Sequence, residues 1–133
     1  MSTTITNQAS ITYDYNGSSG TAVSNIATVT LLDPLTVGKT ALGDTYTAGE
    51  EITYILTTNN TGSAALNNIE IEDNLGTYSC NGGMNRVTPL TYTGPAFLYI
   101  NGGFTASLTP EIGSDCVVFT IPSLPANSNA IIV

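Results

Sequence analysis

The chain has 133 residues, ten acidic and two basic side chains, no His and no Trp, and a formal charge of -8. That length fits one domain, or one domain with a terminal extension. With only Lys39 and Arg86 positive, nucleic acid and anionic membrane surfaces are poor partners, because phosphate binding needs basic residues. Thr, Ser, Asn and Gly carry the polar surface, which suits an extracellular protein whose sheets are hydrated by uncharged side chains. No apolar run approaches the ~20 residues of a membrane span. Met1-Ser-Thr-Thr lacks the basic and then apolar regions of a signal peptide, so export by another route or release by lysis is expected.

Taken in order, residues 4–32 read as a long β-hairpin. Ile5, Asn7, Ala9, Ile11 and Tyr13 share one face of its first arm, and Thr6, Gln8, Ser10, Thr12 and Asp14 the other. Asn16-Gly17-Ser18-Ser19-Gly20 supplies the turn. Val23, Asn25, Ala27, Val29 and Leu31 then alternate with Ser24, Ile26, Thr28 and Thr30. Asp33-Pro34 ends the hairpin, because Pro removes a ladder donor. A strand follows at once, with Leu35, Val37, Lys39 and Ala41 in phase.

The most regular stretch runs from Gly49 to Leu75. Ile52, Tyr54 and Leu56 alternate with Thr53 and Thr57, the period of a half-buried strand. Asn60-Thr61-Gly62-Ser63 is turn chemistry, and a second strand places Ile69 and Ile71 opposite Asn68, Glu70 and Glu72. Beyond Leu75, Gly82-Gly83 and Pro89 predict a loop, and Ala96–Ile100 a strand. Asn101-Gly102 predicts a tight hairpin turn back through Phe104–Thr109. Asp115–Ile121 is a further strand, Pro122 and Pro125 bound a connection, and a last strand starts near Asn129. No stretch has helical period. Many short strands with turn signals between them predict an all-β, Ig-like antiparallel β-sandwich carrying an N-terminal hairpin: residues 1–34 as hairpin, 35–133 as sandwich. An apolar strand at Ala130-Ile131-Ile132-Val133, were it the last, would leave a sheet edge open to pairing.

Cys80 and Cys116 are too few for a structural zinc site without His. The extracellular composition favours one disulfide between them over two buried free thiols. Such a bridge would stabilise by roughly 3–4 kcal/mol in the chain-entropy model. Glu50, Glu51, Glu70, Glu72 and Asp73 could be oxygen ligands for Ca²⁺, but no Ca²⁺-loop spacing is present and solvated carboxylates are the expected reading, so no metal or cofactor is expected. Asn16-Gly-Ser and Asn59-Asn-Thr match the glycosylation sequon and read as polar turns. Seven tyrosines are spread over several elements rather than gathered as a sugar platform. Without His no ordinary hydrolase triad can be built, and no turnover enzyme is expected.

Lys39-Thr40, Gly49-Glu50-Glu51-Ile52-Thr53-Tyr54, Asn60-Thr61-Gly62 and Ile69-Glu70-Ile71-Glu72-Asp73 resemble a known family. It is the conserved-repeat domain of bacterial surface proteins, the eleventh of the catalogued domains of unknown function, and the likeness covers residues 35–133. The resemblance implies an Ig-like sandwich of the tandem kind found in Gram-positive and clostridial surface and spore-appendage proteins. Members usually continue past the Ile-Ile-Val strand into a closing segment like Ile5-Thr6-Asn7-Gln8-Ala9 and a hairpin. Here that hairpin comes first. Either it folds back on its own domain or it completes a neighbouring subunit, and the short Asp33-Pro34 link favours the neighbour. Head-to-tail donation of this kind builds a fibre of self-associated copies. The alternative expectation is a monomeric surface adhesin or stalk domain that binds a glycan or protein through its loops.

Alternation also puts Lys39 in phase with Leu35 and Val37, and Asp73 in phase with Ile69 and Ile71, so both are expected to face inward. Asn7 and Asn25 are expected on the inward faces of their arms. An isolated buried Lys is costly and tends toward the neutral amine. Beside a carboxamide, with a protonated carboxyl to shuttle protons, such an amine can form an amide with loss of ammonia. Isopeptide-bonded sandwich domains of Gram-positive surface proteins are similar, with Lys on an early strand, Asn on a late one and an acid between. A Lys39–Asn7 or Lys39–Asn25 cross-link with Asp73 as its catalyst is one expectation. An ordinary Lys39–Asp73 ion pair is the other.

Overall fold

The computed structural model describes residues 3–133, so Met1 and Ser2 of the leader reading lie outside the described residues. Two compact units divide the chain, one reaching to Asp33 and the other Pro34–Val133.

The first unit is a two-arm ribbon. β1 (Thr3–Asn7) pairs antiparallel with β4 (Ala27–Leu31), and β2 (Ser10–Tyr15) with β3 (Ser18–Val23). Asn16 and Gly17, with φ of 49° and 77°, form the two-residue reversal that the twist of a hairpin requires. Ile5 lies opposite Val29 and Asn7 opposite Ala27, while Ile11 lies opposite Ala22 and Tyr13 opposite Gly20. The register breaks in between, where residues 24–26 of one arm face residues 8–9 of the other. Ser24 closes this bulge: its Oγ accepts from Ala9 N at 3.0 Å and donates to Asn25 O at 2.7 Å, while Gln8 Nε2 reaches Ser24 O at 2.7 Å. The extra residue corrects the expected phase of the second arm. Val23 lies opposite Ser10, not on the Ile11 face, and Asn25 belongs to neither ladder.

The second unit is an antiparallel sandwich. β5 (Leu35–Ala41), β6 (Tyr54–Asn60), β10 (Ala96–Ile100), β11 (Gly103–Leu108) and β14 (Ser128–Ile132) make one sheet, in the order β11-β10-β14-β6-β5. β7 (Leu66–Asp73), β12 (Glu111–Ile112) and β13 (Val117–Leu124) make the other, in the order β12-β13-β7. The small hairpin of β8 (Tyr78–Cys80) and β9 (Asn85–Val87) stands where a loop was expected, its strands joined by a 3-10 turn at Asn81–Gly83. Alternate residues of the facing strands fill the core: Leu56, Ala130, Ile132, Ala96 and Leu98 from the broad sheet, and Ile69, Val117, Phe119, Ile121 and Leu124 from the narrow one.

Two sequence expectations are corrected by local chemistry. β13 continues through Pro122, because the β13–β7 ladder skips there between the Ile121–Ile69 and Ser123–Asn67 pairs, so no donor is needed. Opposite the skip, Asn68 takes a left-handed φ of 52°. The Cys80–Cys116 bridge is not formed, and both thiols are free. Cys80 is exposed at the end of β8, opposite Asn85 in the small hairpin. Cys116 is partly buried and held in a turn, with Gly113 N donating to Cys116 O at 2.9 Å.

Asn60 ties the two sheets together at one end. It is almost fully buried, and its Nδ2 reaches Ala64 O at 2.9 Å, Leu124 O at 3.2 Å and Pro125 O at 2.9 Å. Its Oδ1 accepts from Gly62 N at 3.0 Å. One side chain thereby satisfies both the β6–β7 turn and the exit of β13. Replacing Asn60 by Ala strands the buried Leu124 carbonyl and loosens those of Ala64 and Pro125, and should cost about 2–3 kcal/mol in urea unfolding. Asn60→Asp, which keeps the shape but loses the donors, should be no better.

Candidate functional site: the open seam and the Lys39–Asp73 pair

The two layers of the sandwich are unequal, five strands against three. Strands lie about 4.8 Å apart, so the broad layer exceeds the narrow one by about 10 Å, two strand positions. The surplus is uncovered at β5. Val37 lies opposite the buried Thr58, on the inward face, yet is 67% exposed. Among the described residues β7, the matching strand of the narrow layer, pairs only with β13 and leaves its other edge free. The result is a seam bounded by the inward face of β5 and the free edge of β7.

Lys39 and Asp73 meet across this seam. Lys39 lies opposite Leu56 on the inward face of β5, and its Nζ is 2.6 Å from Asp73 Oδ2. The ammonium also stands 4.1 Å from the centre of the Tyr54 ring. Asp73 Oδ1 accepts from Leu75 N at 3.0 Å, holding the residue that takes a φ of 52° after β7. The Asp73 side chain is 10% exposed, but that of Lys39 is 36% exposed. The expectation of a buried lysine is thus corrected: its register is inward, but nothing of the narrow sheet extends over it. Asn7 lies in β1 opposite Ala27, and Asn25 in the bulge; both are exposed and belong to the first unit.

Beside the pair a cleft of about 670 Å³ enters the core, lined by Tyr54, Leu56, Asp73, Tyr92, Phe119 and Ile132. Tyr92 meets Phe119 edge-on at 5.8 Å, and burial raises its phenol above the ordinary 10.0. At the rim, Thr47 N and Oγ1 donate to Glu50 Oε2 at 2.6 and 2.8 Å, holding the carboxyl below the usual 4.5. The apolar lining of this cleft was not legible as a site, because its residues read as ordinary core. Among the described residues, no group of three or more His, Cys, Asp and Glu is poised for a metal, and no helix is long and apolar enough to cross a membrane.

No family model, curated protein or solved structure matches this chain.

Lys39→Met should change urea stability by less than about 1 kcal/mol, as for a half-exposed pair. Asp73→Ala should cost about 1–2 kcal/mol, because it also removes the acceptor for Leu75 N. Glu50 should titrate below 4.5 by carboxyl NMR, and Thr47→Ala should return it to the ordinary range. Because folding lowers this pKa, the contact stabilises above the unfolded value and is lost as pH falls through the folded one.

Proposed function

We propose that the chain is a structural subunit of an extracellular bacterial filament or appendage, joined head to tail by hairpin complementation. One observation carries this reading: the chain exposes two apolar surfaces that fit the same purpose. In the ribbon, Ile5 is 64%, Ile11 63% and Val29 67% exposed, and in the sandwich Val37 is equally bare. An isolated two-stranded hairpin is marginal in water and gains stability by joining a larger sheet. Self-association through strand addition covers both surfaces at once. The surface-repeat resemblance proposed for residues 35–133 would agree with this reading, as would the near absence of basic residues, and neither turnover nor a cofactor is part of it.

The Lys39–Asp73 pair also supports a proposal of covalent locking. Once its ammonium has lost a proton to solvent, Lys39 Nζ would attack the Cγ of an asparagine on the incoming hairpin; the new Nζ–Cγ bond replaces Cγ–Nδ2, and ammonia leaves. Asp73, 2.6 Å from Nζ, would carry the proton from the amine to the departing nitrogen. Asn7, in phase with Ile5 and Ile11, suits this better than Asn25 in the bulge.

A second reading, a monomeric adhesin or stalk domain, draws on a cleft lined by Thr36, Asn59, Asn101, Asn127 and Asn129. These uncharged donors and acceptors suit sugar hydroxyls. Negative-stain microscopy and size-exclusion chromatography of purified protein separate the two, with filaments expected and a lone monomer overturning the polymer. Covalent locking should give a ladder that survives boiling in detergent and disappears with Lys39→Met or Asn7→Ala. Chains all of plain sequence mass would exclude the bond and leave non-covalent assembly.

A further inference from the structure

We infer that the acceptor is the free edge of β7, and that the first arm of a second copy's hairpin adds there antiparallel, its second arm lying outermost over β5. The inference rests on the filament reading and specifies its joint. The seam is two strand positions wide, and the ribbon is two strands wide with one apolar face. The first arm carries the larger apolar side chains overall: Ile11 lies opposite Ala22, Tyr13 opposite Gly20, and Ile5 opposite the comparable Val29. A strand beside β7 meets the full depth of the core, and one over β5 meets only its rim. Size therefore orders the arms.

Direction decides whose hairpin it is. β5 starts opposite Asn60, whose side chain binds Ala64 O just ahead of β7, and Lys39 on β5 meets Asp73 at the end of β7. Both strands therefore run from the Asn60 end to the Lys39–Asp73 end. Every strand pair among the described residues is antiparallel, the stronger mode per residue. An antiparallel first arm enters at the Lys39–Asp73 end, and the second arm returns there, bringing Leu31 level with Asp73. Leu35 of the same sandwich sits about 13 Å back along β5 and about 10 Å across the layers, about 16 Å in all. Four Cα steps from Leu31 to Leu35 span at most about 14 Å. The arm that fits must come from another copy, whose sandwich then stacks on the Lys39–Asp73 end of the first.

Charge discriminates against the obvious competitor. Two β7 edges paired with each other would set Glu70 and Glu72 of each copy side by side, and like charges opposed across a ladder repel. The first arm instead offers Thr4, Thr6, Ser10 and Thr12 on its outer face, with Asp14 its one carboxylate.

The test uses full-length chains with Cys80→Ser and Cys116→Ser. One copy carries Thr6→Cys, Ser10→Cys or Thr12→Cys, the other Asn68→Cys, Glu70→Cys or Glu72→Cys; they are mixed in denaturant, refolded and oxidised. Circular dichroism checks that each variant keeps its β spectrum. Mixed disulfide dimers are expected at several-fold excess over those given by Thr21→Cys or Thr28→Cys donors on the same acceptors. The best pairs should share one sum of residue numbers, the signature of antiparallel register. Preferred linkage from the second arm, linkage to Thr36→Cys or Thr40→Cys on β5, or filaments without linkage to β7 would each overturn this joint while leaving the filament. A chain that stays monomeric and unlinked would overturn both.

Discussion

A narrow sheet laid on a broad one is the constraint from which the rest of the molecule follows. Three strands cannot cover five, so somewhere an inward face must meet water. The sandwich concentrates this deficit at one side. At the other margin, Ala106 and Leu108 on β11 keep partial cover, whereas Val37 and Lys39 on β5 are left bare. A deficit spread over both margins would weaken the whole core. Confined to one, it leaves Leu98, Val117, Ile121 and Leu124 fully enclosed and produces a seam with defined walls.

The ends of the seam are unlike, and polar chemistry makes them so. At one end Asn60 uses amide and carbonyl together to fasten the β6–β7 turn to the exit of β13, a buried network with no orphaned side-chain atom among the described residues. At the other, Asp73 divides its oxygens between Leu75 N and Lys39 Nζ, and the ammonium rests on the Tyr54 ring. At the first end the Asn60 side chain is fully engaged within the sandwich. The second holds a lysine whose neighbours on one side are solvent, above a cleft that leads into the core. A strand arriving there would remove that water and strengthen every electrostatic contact of the pair.

Much of the fold could be read from alternation and turn residues, and the reasons for the exceptions are local. Asn16-Gly17 and Asn101-Gly102 place two reversals because their backbones need positive φ. Ile69, Ile71 and Asp73 were assigned to one face of β7 by period alone, opposite Ile121, Phe119 and Val117. Period fails at a bulge: one extra residue around Ser24 changes the facing of Val23, and no composition signal marks it. It also fails for burial. Lys39 has an inward register but half-open surroundings, since exposure depends on how far the opposite sheet extends, a property of strand count rather than of any residue nearby. The β8–β9 hairpin escaped because Asn81-Gly82-Gly83 reads equally well as loop, and three-residue strands carry almost no period.

The size of the forces shows what a covalent bond would add to the proposed joint. Ile5, Ile11, Val29 and Val37 each have about two-thirds of their surface to bury, worth about 1–2 kcal/mol apiece. Association of two chains costs at least about 4 kcal/mol before any contact is made, and estimates run well above that. Side-chain burial alone therefore sits near balance, and each copy adds a formal charge of -8 that repels the next. Ladder hydrogen bonds along the free edge of β7, about 1 kcal/mol each, move the joint into stability without making it permanent. A non-covalent filament of this chain would exchange subunits and respond to dilution and ionic strength. One amide bond per joint at Lys39, as proposed, would end that exchange, and the lysine already stands at the mouth of the seam with the Asp73 carboxylate in contact.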